Sequence, residues 1–218
     1  YDAFSTGSAA SAGLETLAEL GGVGGVQSEL EAAQASSQSV AVTAAGNGVP
    51  PVEPGEMGMV RVELDPTTQR FLTYLSMVIP SNDTFIGNGN PEAFALFDDM
   101  GNYNGDRTIT ITGNSVYDAG AEENDATHGP AFVAMIDAML GGPGEGVVSA
   151  GSDLSDFAGV PLAPGGNLTT TTLDLSGPNR GSIVLGQIQI SAVPLPATAP
   201  MLLAGLGLAG AFLRRRKS

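Results

Sequence analysis

The chain has 218 residues and no cysteine, which excludes disulfides and any zinc site built on cysteine. Its 31 glycines and 14 prolines, with few aromatic residues, favour an all-β domain with long loops over a helical bundle. The net charge is −15, and four of the eight basic residues are the last ones, at 214–217. The rest of the chain is therefore strongly acidic and would repel phosphates, which excludes nucleic-acid binding. An acidic surface is typical of an exported protein in cation-rich surroundings, and equally of a protein that is merely kept soluble.

The first residues, Tyr1-Asp-Ala-Phe-Ser, have neither the basic nor the apolar segment of a signal peptide. Apolar residues within 8–20 recur at helical spacing and predict a helix with Ser11 as its N-cap and Gly21-Gly22 at its end. Residues 27–34 predict one or two further helical turns.

Alternation of apolar and polar residues predicts a series of β-strands along the chain. The predicted strands cover 39–44, 59–64, 70–79, 108–112, 169–175 and 182–192, with a hairpin over 56–79. Five apolar side chains at helical spacing predict a helix over 131–140, closed by Gly141-Gly142-Pro143. The Asp-rich loop over 98–106 lacks the spacing of an EF-hand and is at most a second, weak cation site.

Two of these apolar runs are followed by turns that carry carboxylates. Asp83 follows the run that Pro80 stops, and Asp118 and Glu122 follow the strand over 108–112. If the two strand ends lie side by side, the three carboxylates converge, and a hard divalent cation, Ca²⁺ above all, would relieve their repulsion. The plainer interpretation is that Asp and Gly are ordinary turn residues after strands.

The same residues carry a family resemblance. Ser76-Met-Val-Ile-Pro-Ser-Asn-Asp83 is similar to the S-M-x-x-P-S-x-D signature of the spondin domain, and Asp118-Ala-Gly-Ala-Glu122 resembles that family's D-A-G-T-D loop. The resemblance covers residues 1–192 and implies a mainly β fold, a C2-like antiparallel β-sandwich with one or two short helices. It also implies one calcium site, with Asp83, Asp118 and Glu122 as the metal ligands.

The chain departs from the family at two places. Glu122 stands where the family has Asp, and its extra methylene shifts the ligand oxygen by about one bond length. Asn124 and Asp125 are candidates to replace or supplement it. Spondin-like bacterial proteins usually place a strand and a Trp-containing segment before the point where this chain begins. We therefore expect an N-terminally truncated domain that lacks its first strand and has an unpaired sheet edge.

Residues 193–218 form a separate C-terminal tail. Val193-Pro-Leu-Pro-Ala197 is followed by an uncharged apolar span to Leu213 and then by Arg214-Arg-Arg-Lys217. This arrangement resembles PEP-CTERM sorting signals of the Val-Pro-Leu-Pro-Ala variant. It implies export, an inner-membrane anchor formed by a hydrophobic C-terminal helix with its basic end in the cytoplasm, and cleavage by an exosortase-type enzyme. After cleavage the protein would reach the cell surface or the extracellular matrix; the alternative is a permanent anchor.

These features predict an exported calcium-binding protein with an adhesion or biofilm-matrix role, and not an enzyme. Calcium could also bridge the domain to an acidic exopolysaccharide. The rival hypothesis is a hydrolase that uses Asp83 and Asp118 as paired carboxylates. No catalytic motif accompanies them, and the single histidine, His128, lies in a predicted loop. A third hypothesis is a structural surface domain that binds no metal.

Overall fold

The computed structural model describes residues 1–44, 52, 55–144, 146–163 and 174–193. The chain divides into two units, one made of Tyr1–Asn104 and Ile109–Ile188, the other of Gly105–Thr108 and Gln189–Ser218. In the second unit the backbone N–H of Ala192 donates to the Asp106 carboxylate at 3.1 Å. The fold is mainly β, with antiparallel sheets and two short helices, which confirms the predicted class.

The two helices follow each other near the N-terminus. Helix α1 spans Ala12–Leu20; Ser11 caps its first turn, and Gly21 ends it in the left-handed conformation, with φ at 71°. Helix α2 spans Gly24–Ala33. Its Glu29 reaches back to α1 and accepts hydrogen bonds from the Ser11 hydroxyl at 2.6 Å and the Gly13 N–H at 2.8 Å. The predicted N-terminal helix and its caps are thus confirmed.

Six strands are present among the described residues: β1 Leu75–Met77, β2 Thr84–Gly87, β3 Arg107–Thr112, β4 Val116–Asp118, β5 Ser149–Ala150 and β6 Val184–Ile190. Four of them form one sheet in the order β1-β2-β4-β5, and β3 pairs with β6. Strand β2 is central and antiparallel to β4, so its first residue, Thr84, lies opposite Asp118, the last residue of β4. These are not the two strands expected from the sequence: the run over 70–79 contributes β1, and the strand over 108–112 is β3, which belongs to the other sheet. The carboxylate segments meet instead through β2 and β4.

A hydrophobic cluster lies against each face of the four-stranded sheet, because alternate residues of a strand point to opposite faces. On one face Phe85 packs with α1 in a cluster completed by Phe4, Leu14, Leu17, Ala18, Ala119 and Val148. On the other face Val116 packs with Val133, Leu154, Phe157 and Leu175. Because β2 and β4 are mostly buried between these clusters, the end where β2 begins and β4 ends is also held away from solvent.

Several predicted strands are absent or shorter. Residues 59–64 and all of 39–44 except a single bridge, Ala44 to Gly58, lie outside any strand, and only Leu75–Met77 of the run over 70–79 is a strand. The predicted hairpin over 56–79 is therefore wrong, since β1 pairs with β2, which follows it in the chain. The alternating pattern is present, but no strand in the described part of the chain pairs with 39–44 or 59–64. The strand predicted over 182–192 is confirmed as β6, and the strand over 169–175 lies mostly outside the described residues.

The helix predicted over 131–140 is wrong. Phe132 and Met135 have φ values of 62° and 65°, in the left-handed region that ends a right-handed helix. Val133 instead bridges to Leu162, while Met135 and Met139 are 96% and 76% exposed. The apolar residues of 131–140 lie in a series of turns, and only some of their side chains are buried.

Candidate functional site

Asp83 directly precedes β2 and is fully buried. Its Oδ2 atom accepts hydrogen bonds from the backbone N–H groups of Ala121 at 2.6 Å and Glu122 at 2.9 Å. Its backbone carbonyl accepts from the Ala119 N–H at 3.2 Å. Hydrogen bonds from amides to an ionised carboxylate are strong, so Asp83 holds the loop that follows β4 against the start of β2.

Asp118 is the last residue of β4 and is 6% exposed. Its Oδ1 atom accepts from the Gly120 N–H at 2.9 Å, and its Oδ2 atom accepts from Asn124 Nδ2, also at 2.9 Å. Gly120 has φ at 70°, and a Cβ there would lie 2.3 Å from the Val147 carbonyl oxygen. Glycine is therefore required for the tight turn behind the Asp118 carboxylate.

Glu122 is the third predicted ligand and is 8% exposed. Its Oε2 atom accepts one long hydrogen bond, from Asn82 Nδ2 at 3.3 Å. The two carboxylate oxygens lie against glycines: a Cβ at Gly141 would be 3.1 Å from Oε1, and one at Gly129 would be 3.4 Å from Oε2. Glu122 is thus enclosed by backbone and held by a single weak contact.

The structure brings the segments of Asp83, Asp118 and Glu122 together, but the three side chains enter different sets of hydrogen bonds. Within residues 1–44, 52, 55–144, 146–163 and 174–193, no group of three or more His, Asp or Glu side chains has an arrangement that could hold a metal ion. The calcium ligand set therefore stays a prediction.

Two asparagines join the loops in a way that the sequence did not reveal. Asn124 Oδ1 accepts from the Asn82 N–H at 3.1 Å, and Asn82 Oδ1 accepts from the Asp125 N–H at 3.0 Å. Asn82 Nδ2 also donates to the carbonyl of His128. These partners are more than 40 residues apart, so no local pattern could have identified them.

A buried group of hydroxyls extends the same network. The Thr84 and Ser152 hydroxyls are 2.7 Å apart, and Asn124 Nδ2 donates to Ser152 Oγ at 3.0 Å. Ser152 Oγ lies 3.5 Å from Asp118 Oδ2. Ser152 follows β5, so the network ties the end of that strand to the carboxylate loops.

Asp125, a candidate replacement ligand, turns to its own loop. Its carboxylate accepts from the Thr127 N–H at 2.6 Å and lies 2.5 Å from His128 Nδ1. The hydrogen bonds from the Thr127 side chain, then from His128, lower the pKa of Asp125 to about 2. His128 lies in a loop, as predicted, where it is exposed and its ring pairs with Asp125.

Glu19 of α1 is an acidic neighbour of Glu122, which the sequence did not suggest. Burial, followed by the charges of Glu122 and Glu15, raises the pKa of Glu19 from 4.5 to about 7. The carboxylates of Glu19 and Glu122 therefore repel each other. The position of Glu19 in a helix does not by itself predict this interaction with Glu122, because the interaction depends on how α1 packs on the sheet.

The Asp-rich loop over 98–106 uses its carboxylates locally. Asp98 Oδ1 accepts from the N–H groups of Met100 and Asn102, both at 2.8 Å, and hydrogen bonds from Asn102 lower the pKa of Asp98. Asp99 pairs with Arg70 at 2.6 Å. These bonds explain the loop without a cation, and the idea of a second cation site stays a prediction.

Comparison with known proteins identifies the tail. Residues 192–217 match the model of the PEP-CTERM protein-sorting motif, starting one residue before the predicted tail. The chain is thus an exported protein that an exosortase-type enzyme sorts through a membrane-anchored step. No curated protein and no solved structure matches the chain, and the resemblance to the spondin domain stays a prediction.

None of the helices in the described part of the chain is long and apolar enough to cross a bilayer. The predicted C-terminal helix falls on residues 194–218, outside that part.

Proposed function

We propose that the exported chain is a non-catalytic adhesion or matrix domain, and that calcium binds where its carboxylate loops meet. The observation that carries this proposal is the burial of Asp83, Asp118 and Glu122, each less than a tenth exposed, on two segments that hydrogen-bond to each other. The sequence contains no Lys or Arg from residue 71 to 106 or from 108 to 179. Buried carboxylates are costly unless they are compensated, and a cation would compensate them.

The donor chemistry suits calcium, which takes six to eight oxygen ligands from carboxylates, carbonyls and water. Asp83 and Asp118 can keep their hydrogen bonds while facing a cation, because each carboxylate oxygen has two lone pairs. Glu122 is the ligand that can move most easily, since its carboxylate accepts only from Asn82 among the hydrogen bonds of the described residues. That contact is a single 3.3 Å hydrogen bond, so little opposes the movement.

Thermal unfolding in calcium and in chelator tests the metal site. We expect calcium to stabilise the wild-type protein by about 2.7 to 4.1 kcal/mol at 100 to 1,000 times its dissociation constant. Asp118→Asn should abolish this gain, whereas Glu123→Gln, a neighbouring exposed carboxylate, should retain it. Identical unfolding of the wild type with calcium and with chelator would contradict the proposal.

The proposed partner is an acidic exopolysaccharide whose carboxylates complete the shell of the bound calcium. Without calcium the acidic chain and an acidic polysaccharide should repel each other. Binding to polygalacturonate should therefore require calcium and be lost in Asp83→Asn and Asp118→Asn. Binding that persists in both variants would show that the bridge does not run through this site.

The hydrogen bonds themselves favour a second candidate, a structural surface domain that binds no metal. The loop amides, Asn124 and Asn82 already provide donors to the three carboxylates. In that case Asp118→Asn should lower stability equally in calcium and in chelator. Glycoside turnover that disappears in Asp118→Asn would instead support the hydrolase.

A further inference from the structure

A second candidate site lies on the opposite side of β4 from Asp118. A cleft of about 450 Å³ opens between the first residues of the chain and the loop after β2. Tyr117 lines this cleft, and its side chain points away from that of Asp118, because consecutive strand residues face opposite sides of a sheet. The cleft is therefore separate from the carboxylate loops. Its lining residues are Phe4, Ser5, Thr6, Gly89, Asn90 and Tyr117.

Packed aromatic rings form one wall of the cleft. Phe4 meets Tyr117 edge to face, with ring centroids 4.6 Å apart, and Phe85 stacks on Tyr117 at 5.6 Å. Phe4 and Phe85 are buried, but Tyr117 is only partly buried. The core thus fixes the Tyr117 ring in place and leaves part of its surface in the cleft.

The polar groups around the cleft have unused hydrogen-bonding capacity. No described residue hydrogen-bonds to the Thr6 hydroxyl or accepts from Asn90 Nδ2. Asn90 Oδ1 accepts from the Glu92 N–H at 2.9 Å, which orients the amide. Ser5 Oγ donates to Asp2 at 3.1 Å and keeps its lone pairs. Donors and acceptors are therefore available side by side.

The lining also restricts the kind of ligand. No charged side chain is among the lining residues, and the net charge of −15 disfavours an anionic ligand. Only two of the six lining residues are aromatic and none is aliphatic, which is unsuited to a lipid chain. A sugar ring combines hydroxyl groups with apolar C–H faces. It therefore matches a cleft that has an aromatic wall beside hydroxyl and amide groups. The volume lies within the range of small-ligand sites, about 300 to 1,000 Å³.

We propose that this cleft binds sugar units of a neutral polysaccharide, with Thr6 and Asn90 as the hydrogen-bonding side chains. The site does not depend on calcium. It gives the exported domain direct contact with a glycan, separate from any bridge through the carboxylates.

Isothermal titration in chelator with two neutral oligosaccharides, cellohexaose and laminarihexaose, tests the proposal. We expect at least one of them to bind the wild type. Thr6→Val and Asn90→Asp should each weaken that binding about five- to tenfold. The carboxylate that Asn90→Asp introduces would keep the acceptor for the Glu92 N–H and lose the amide donor. Thr110→Val, an exposed threonine on β3, should bind like the wild type.

Failure of both oligosaccharides to bind the folded wild type would overturn the proposal. Equal binding by the wild type, Thr6→Val and Asn90→Asp would do the same, and so would a preference for oligogalacturonate over both neutral sugars. Because the titration is done in chelator, its outcome is independent of whether the calcium proposal holds.

Discussion

Asp83 is the single side chain that joins the two carboxylate loops most directly. Removing its charge in Asp83→Asn leaves the amides of Ala121 and Glu122 facing a group that also carries N–H donors. Because hydrogen bonds to charged groups are the stronger ones, we expect a loss of about 2 to 3 kcal/mol in the free energy of unfolding. Urea unfolding in chelator measures this loss without any contribution from a metal.

Glu123→Gln is the matched control for that measurement, since Glu123 is an exposed carboxylate one residue beyond the loop amides that Asp83 holds. It should change the free energy of unfolding by less than about 0.5 kcal/mol. If Asp83→Asn were equally harmless, Asp83 would not hold the loop.

Glu19 makes the stability of the protein depend on pH. Its pKa in the folded protein, about 7, lies above the ordinary value of 4.5, so its protonated form favours folding. This contribution is complete below pH 4.5 and is lost as the pH rises through 7. Glu19→Gln should make the free energy of unfolding depend less on pH between pH 4.5 and 7. The change in slope should be well under about 1.4 kcal/mol per pH unit, because solvent screens a partly exposed group.

Carboxyl NMR titration separates the causes of this shift. Glu122→Gln should lower the pKa of Glu19 by more than Glu15→Gln does, because Glu122 is the larger of the two charged contributors. If neither substitution changed the pKa of Glu19, burial would be the only remaining cause of its raised pKa.

At this scale the sequence predicted which carboxylates matter more readily than what they contact. Asp83 and Asp118 stand out because each follows an apolar run, and the antiparallel pairing of β2 and β4 brings them together. The partners Asn82, Asn124 and Ser152 come from distant segments, and each is an ordinary loop residue when seen locally. Their roles depend on tertiary packing, which no short pattern encodes.

Among the elements, α1 and α2 cross in close contact at Gly13 and Gly25, where a Cβ on Gly25 would lie 2.7 Å from the Gly13 Cα atom. A Cβ at Gly13 would lie 2.6 Å from the Val26 backbone nitrogen, whereas a Cβ at Gly24 would meet nothing within 4 Å. We expect Gly13→Ala to destabilise the protein by about 1 to 3 kcal/mol through overpacking, despite alanine's better helix propensity. Gly24→Ala should be neutral or stabilising by up to about 1 kcal/mol.

Chemical unfolding of the two variants side by side measures the difference. Both replace glycine by alanine near the start of a helix, so propensity changes similarly and the contrast reports the helix contact. Equal effects of the two substitutions would show that α1 and α2 can move apart at little cost.

Elements with complete local signals could be predicted, and those without such signals could not. Helix α1 has its N-cap at Ser11 and its left-handed glycine at Gly21, and β3 has its Ile–Thr alternation. The segments over 59–64 and 131–140 have the right apolar spacing, but a strand also needs a neighbour and a helix needs right-handed backbone throughout. Phe132 and Met135 violate the second condition, and spacing alone cannot reveal it.

For the whole molecule, charge and hydrophobicity are divided between two parts of the chain. All 23 acidic residues precede residue 193, and half of the basic residues occupy 214–217. An acidic body does not interact favourably with the anionic inner leaflet, whereas a basic end after an apolar span holds that end in the cytoplasm. The sorting motif matched over 192–217 therefore contrasts in charge with the acidic rest of the chain.

This division predicts where processing occurs. In a host that has an exosortase-type enzyme, the full chain should be released with a mass reduced by that of the tail. Replacing Pro194 and Pro196 by alanine should leave uncut protein in the membrane fraction, because we expect cleavage near these prolines, at the start of the matched motif. Mass spectrometry of the soluble and membrane fractions measures both outcomes, with Thr198→Ala as the matched substitution that should be processed normally. If the double-proline variant were released with the mass of the cleaved wild type, these prolines would not direct cleavage. If the wild-type protein stayed uncut in the membrane, the tail would be a permanent anchor.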